Sequence, residues 1–199
     1  MPHSLGLSIL HLIMGGYLVG QPPLDAVRLL PPPPAAGSSQ EAFDRAAAAA
    51  SRAGVDGPAW KAAIREANIP NADFMQTLSC AVGVQVSAEK TPAVQKLFTS
   101  VTADFIGPME QAKSTWKRPR PFTVDGGPAC DARVAAGGCD LREQRGLDCR
   151  VHWTSDVAAG RMLGLALYQR ISATPAYQAD VKAAAAEIAK APPIQCPAG

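Results

Sequence analysis

Residues 91–116 read TPAVQKLFTSVTADFIGPMEQAKSTW, and this stretch sets the class of the whole chain. Val94, Leu97, Phe98, Val101 and Phe105 recur at spacings of three and four, which puts them on one face of a helix. Thr91-Pro92 supplies the start, because a proline in the first turn gives up an N–H that has no partner there anyway. Gly107-Pro108 is expected to kink or interrupt the helix before Lys113, since an interior proline removes a hydrogen bond and crowds the preceding turn.

The same period continues on both sides. Upstream, Ser38 and Glu41 have the spacing of a capping box for a helix through Ala50 that ends near Gly54. Pro58 opens a helix with Trp60 and Ile64, and Asn71 caps another with Phe74, Met75, Leu78 and Val82, stopping at Gly83. Downstream, residues 117–150 are loop-like, rich in Pro, Gly and charge. A helix then begins at Thr154/Ser155 and carries Leu163, Leu167 and Tyr168. The last helix opens at Thr174-Pro175, with Tyr177, Val181, Ala184 and Ile188 on one face. No repeat and no strand pattern intervenes. The expectation is one all-α domain, a helical bundle over residues 38–199.

Two segments precede it. Residues 1–16 are leader-like: the apolar run from Leu5 to Gly20 suits a signal-peptide core or a buried N-terminal segment better than a membrane span. Residues 17–37 form a Pro-rich extended arm, because the run Pro31–Pro34 cannot enter a helix interior. It could be a ligand for a proline-reading partner, but the two leucines just before it favour an arm lying along the domain. The formal charge of +2 is too mild to argue for nucleic acid or an anionic membrane, so any anion site must come from a local cluster.

Two such clusters stand out. Lys113 through Phe122 (KSTWKRPRPF) concentrates basic residues, and His152-Trp-Thr-Ser-Asp156 sets a histidine and a carboxylate four apart. On a helical turn that spacing lets Asp156 hold one ring nitrogen of His152 and leave the other as a nucleophile. Either cluster alone reads equally well as a solvated face or a helix cap. Of five cysteines, none forms a C-x-x-C pair, which argues against a zinc site. Cys130 and Cys139 flank a short loop and are expected to close it as a disulfide, which fits an oxidising compartment.

Taken together and in order, these features resemble a known family. Lys113 and Arg120-Pro121 fit the K-x6-R-P element of the phosphatidic acid phosphatase type 2 superfamily, and His152 and Asp156 fit its later H-x3-D element. RLLPPPP, LSCAVGV, KRPRPF, the Cys130–Cys139-Asp-Leu loop and VHWTSDVAAGR look like the class A non-specific acid phosphatases of the bacterial periplasm. The resemblance runs from Tyr17 onward. It implies a periplasmic or secreted phosphomonoester hydrolase that needs no metal or other cofactor. His152 would attack phosphorus, Asp156 would orient it, and Lys113 and Arg120 would hold the phosphoryl oxygens. The implied partners are a small phosphomonoester or inorganic phosphate, and a homo-oligomer stays open.

The chain departs from that family in two places. The P-S-G-H element, whose histidine protonates the leaving oxygen, is missing between Cys139 and His152. The Ser-Arg expected before the nucleophile is also missing, with Gly146 in the arginine's position and Arg145 displaced by one. The gap implies the family's bundle without one or two of its core helices. Arg145 could stand in for the lost arginine, and Asp148 or Glu143 for the lost acid if its pKa were strongly raised. The expectation is therefore weak phosphatase activity, or a catalytically inactive phosphate-binding remnant of the family. A vanadate-dependent haloperoxidase needs the same missing groups. A membrane lipid phosphatase would need an apolar span beyond residue 20, and none follows.

Overall fold

The computed structural model describes residues 15–66, 72–130 and 149–196. Within them the chain is helical, with no named strand and one isolated bridge, Val84 to Pro193. The helices are α1 (Ala26–Leu29), α2 (Ser39–Ala50), α3 (Pro58–Glu66), α4 (Ala72–Val82), α5 (Pro92–Trp116), α6 (Pro121–Asp125), α7 (Thr154–Ser172) and α8 (Pro175–Ile188). The all-α expectation holds. No helix among the described residues is long and apolar enough to cross a membrane.

Helix α5 is the spine, and at 25 residues it is roughly 37 Å long. Pro108 does not interrupt it: the helix runs unbroken to Trp116. An interior proline costs about 3 kcal/mol. Here α5 is packed by α8, α1 and α7 along its length, and that burial outweighs the lost hydrogen bond. One core joins Ala26 and Leu30 to Leu163, Leu167 and Ile171, with Val101, Phe105 and Met109 of α5 against them. A second joins Val86, Val94 and Ala184, with Leu78, Leu97 and Ile188. A third, smaller one packs Ala63, Cys149 and Val151 with Phe122, and this one carries the backbone that leads into His152.

Several helix ends follow their sequence signals. The Ser38 hydroxyl accepts the Glu41 N–H at 3.2 Å, while the Glu41 carboxylate reaches back to the N–H of Gly37 at 2.6 Å, one residue earlier than a standard box. Gly83, at φ +80°, ends α4 in the left-handed conformation that only glycine adopts without strain. Asn71, the expected cap of α4, lies outside the described residues. Thr91 does not cap α5, because its hydroxyl is engaged by Gln85 and Ser87. The orphan N–H groups of Ala93 and Val94 are taken instead by the Glu187 carboxylate of α8, at 3.1 and 2.9 Å. The arm is not wholly extended: Asp25 caps the single turn of α1 ahead of the proline run.

The disulfide expectation is corrected. Cys130 pairs with Cys149, and Cys80 with Cys196. Cys149 is buried beside Val151 and Ala63, and its carbonyl accepts the Cys130 N–H at 3.4 Å, so packing brings these two together. Cys139 lies outside the described residues. Sequence spacing favoured the nearer partner because it cannot register this packing. The Cys80–Cys196 bridge spans 116 positions and, with the Ile194 N–H bonded to Gly83 at 3.1 Å, clasps the C-terminal tail to α4.

Glu187→Ala is expected to lower the free energy of unfolding by about 1–2 kcal/mol through the loss of two capping bonds. Glu187→Gln, which keeps one acceptor oxygen, should lose about half as much, as read by urea denaturation of the oxidised protein.

Candidate functional site

Two stretches of chain, Lys113 to Pro121 and Cys149 to Asp156, bring the site residues together. Lys113 sits in the last turn of α5. Lys117 then leaves the helix at φ +43°, turning the chain into Arg118-Pro119-Arg120-Pro121. The prolines on either side of Arg120 fix their own φ and hold Arg120 extended, and the buried Pro121 starts α6. The segment from Cys149 to Trp153 is anchored by the disulfide to Cys130 and by the bond from Trp153 Nε1 to the Pro119 carbonyl at 2.8 Å. That bond places His152 beside Arg120.

Lys113, Arg120, His152 and Asp156 all line one cavity of about 770 Å3, together with Arg118 and Trp116. Arg120 Nη1 lies 2.9 Å from Nδ1 and 3.1 Å from Nε2 of His152, and donates to the Val151 carbonyl at 2.7 Å. The expected neighbours are thus in contact. Burial, then the charges of Arg120 and Lys113, push the His152 pKa down to about 3. A cation on one side of the ring favours its neutral form, which is the form able to accept from Arg120 and to act as a nucleophile.

The role expected for Asp156 is corrected. Its Oδ2 is 4.0 Å from His152 Nδ1, too long for a hydrogen bond. Asp156 instead accepts the Trp153 N–H at 3.0 Å and pairs with Arg118 at 2.5 Å. The cause is local. Trp153 is the N-cap of α7, so His152 lies outside the helix and the spacing of four no longer stacks it on Asp156. Asp156, in the first turn, satisfies an orphan backbone donor and complements the helix dipole. Thr154 and Ser155 open the helix, as expected.

Three contributors were not found in the sequence. Arg118 stacks over Trp153, 5.1 Å from the ring centroid, and bridges Asp156 and Asp44. Asp44 lies on α2 three residues after the capping Glu41 and just ahead of its run of alanines, and no local pattern marks it as buried. Arg150 is fully buried at φ +60°, pairs with Asp125, and donates to the Pro128 carbonyl at 3.3 Å. A side chain on Gly127 would meet its guanidinium, which would have to shift to admit it. Arg145 and Asp148, the expected substitutes for the missing groups, lie outside the described residues, as does Glu143. Among the described residues no cluster of three His, Cys, Asp or Glu side chains is placed to hold a metal ion. No protein-family model matches the chain.

The depressed His152 pKa has a sign that can be checked. The unfolded chain binds a proton at this ring below about 6.5, whereas the folded one resists it down to about 3. Stability from this group is therefore complete above pH 6.5 and is lost as the pH falls toward 3. On going from pH 7 to pH 4, the native protein should lose more stability than His152→Gln, by on the order of a few kcal/mol, measured by parallel denaturant titrations.

Proposed function

We propose that this chain is an acid phosphatase that acts on small phosphomonoesters through a phosphohistidine on His152, with turnover limited by the missing general acid. The observation that carries this reading is the convergence of a neutral His152 with Lys113 and Arg120 on one cavity. The two cations would hold the phosphoryl oxygens, Arg120 by its planar fork and Lys113 as a point charge. A ring nitrogen of His152 would displace the alcohol or phenol from phosphorus, and water would then break the P–N bond to give phosphate and regenerate the imidazole. In this scheme Asp156 does not orient the ring. From 4.0 Å its charge offsets the positive charge that develops on the imidazole during attack.

The leaving oxygen needs a proton, and the P-S-G-H element whose histidine would supply it is missing from the sequence. Losing a positioned acid costs about 10²–10⁴-fold in rate. A second reading, phosphate binding without turnover, draws on the same gap and on Arg120, whose guanidinium covers the ring nitrogens. The two disulfides support an oxidising compartment, which fits a periplasmic or secreted protein.

Hydrolysis should be measurable with p-nitrophenyl phosphate, whose leaving group needs little protonation, and slower by about 100-fold or more with an alkyl phosphate. His152→Ala should abolish it. Arg120→Ala should weaken inorganic phosphate binding by about tenfold or more in calorimetric titration. Phosphate binding with no hydrolysis of either ester would select the second reading, and no phosphate binding would remove both.

A further inference from the structure

Asp44 is the one buried carboxylate among the described residues, and the chemistry above does not use it. Its side chain is fully shielded, midway along a helix of alanines where an apolar residue would pack without electrostatic penalty. It does not line the cavity, but its partner Arg118 does, as does Asp156, to which Arg118 is bonded in turn. Asp44 Oδ1 accepts the Ser155 N–H at 2.9 Å. Its Oδ2 accepts Arg118 Nη2 at 2.7 Å and the Ser155 hydroxyl. Arg118 Nη1 closes the ring by donating to Ser155 Oγ at 2.7 Å, and passes on to Asp156 at 2.5 Å. Burial pushes the Asp44 carboxyl up, but the bonds from Ser155 and Arg118 outweigh it and hold the group below the usual carboxylate range.

We infer that Asp44 is a positioning residue of the phosphoryl site, which commits Arg118 to Asp156 and so fixes where the Asp156 charge stands beside His152. The inference rests on the phosphatase reading. It has two consequences of opposite sign. With Asp44 in place, Arg118 faces the cavity already neutralised by two carboxylates, so it does not compete with Lys113 and Arg120 for the phosphoryl oxygens. Asp156, in turn, is held by Arg118 and the Trp153 N–H as an anion within Coulombic range of the imidazole, where it acts on the transition state. Asp44 thus weakens ground-state anion binding and supports turnover. A residue that only tied α2 to α7 would change the folded fraction and leave both properties of the folded molecule alone.

Asp44→Asn keeps the shape and one acceptor but removes the charge. In the full-length oxidised protein, inorganic phosphate should bind about 3- to 10-fold more tightly by calorimetry, while kcat for p-nitrophenyl phosphate falls about tenfold or more. Arg118→Lys serves if Asp44→Asn does not fold. It keeps the charge but cannot span the three partners, so kcat should fall about tenfold with phosphate affinity within about twofold. Folded variants with unchanged kcat and affinity, or with kcat and affinity falling together, would overturn the inference. A native protein that binds no phosphate sinks the phosphatase reading itself, and is seen before any variant is made. In that case the His152 ring resonances still report on the relay by NMR: they should move in Asp44→Asn without ligand, and unmoved resonances would overturn the positioning role too.

Discussion

Lys113, Lys117, Arg118, Arg120 and Arg161 line a single cavity against one carboxylate, Asp156. Like charges gathered at the wall of a shared cavity repel, and partial burial strengthens that repulsion by excluding water. The surrounding architecture answers this constraint piece by piece. Arg118 is offset by Asp44 from α2 and by Asp156 from α7. Lys113 has Glu110 one turn back on α5, at 3.4 Å. Arg120 gives one N–H to the Val151 carbonyl and faces an imidazole that stays neutral. An arriving dianion would complete the neutralisation, in line with the proposed phosphoryl site.

The positions of these charges depend on features far from them. The Cys130–Cys149 bridge and the small core of Ala63, Cys149 and Val151 fix the strand of backbone that presents His152. Arg150, two residues earlier, is locked inward by Asp125 and the Pro128 carbonyl, so the following residues can face the cavity. Asp125 is itself shared with Arg52 at 3.0 Å, which ties this segment to the end of α2. A closed loop of about 20 residues contributes roughly 3 kcal/mol in the chain-entropy picture, so reduction would loosen the site before the spine of the bundle.

What could be read from the sequence was local. The apolar face of α5, the Ser38 cap, the Gly83 stop and the Thr174-Pro175 start are patterns within a few residues, and each is present. The approach of Lys113, Arg120 and His152 was legible only because their order resembles that of a known family. What failed depended on tertiary contact. Helix packing carries Pro108 through α5, Glu187 caps a helix 93 positions away, and Cys149 outcompetes a nearer partner by burial. The spacing of His152 and Asp156 misled because the helix begins at Thr154, two residues past His152, too late to stack them. Asp44 and Ser155 are 111 positions apart, and no local pattern links them.

The central claim is that His152 is the nucleophile of a phosphoryl-binding site. The direct measurement is to mix the oxidised protein with radiolabelled p-nitrophenyl phosphate (label on phosphorus), quench in alkali, where a phosphoramidate survives, and map the label by peptide. The account requires alkali-stable, acid-labile label on the peptide containing His152, absent from His152→Ala. Hydrolysis of the ester by the same sample with no label on that peptide, or label on another residue, would contradict it.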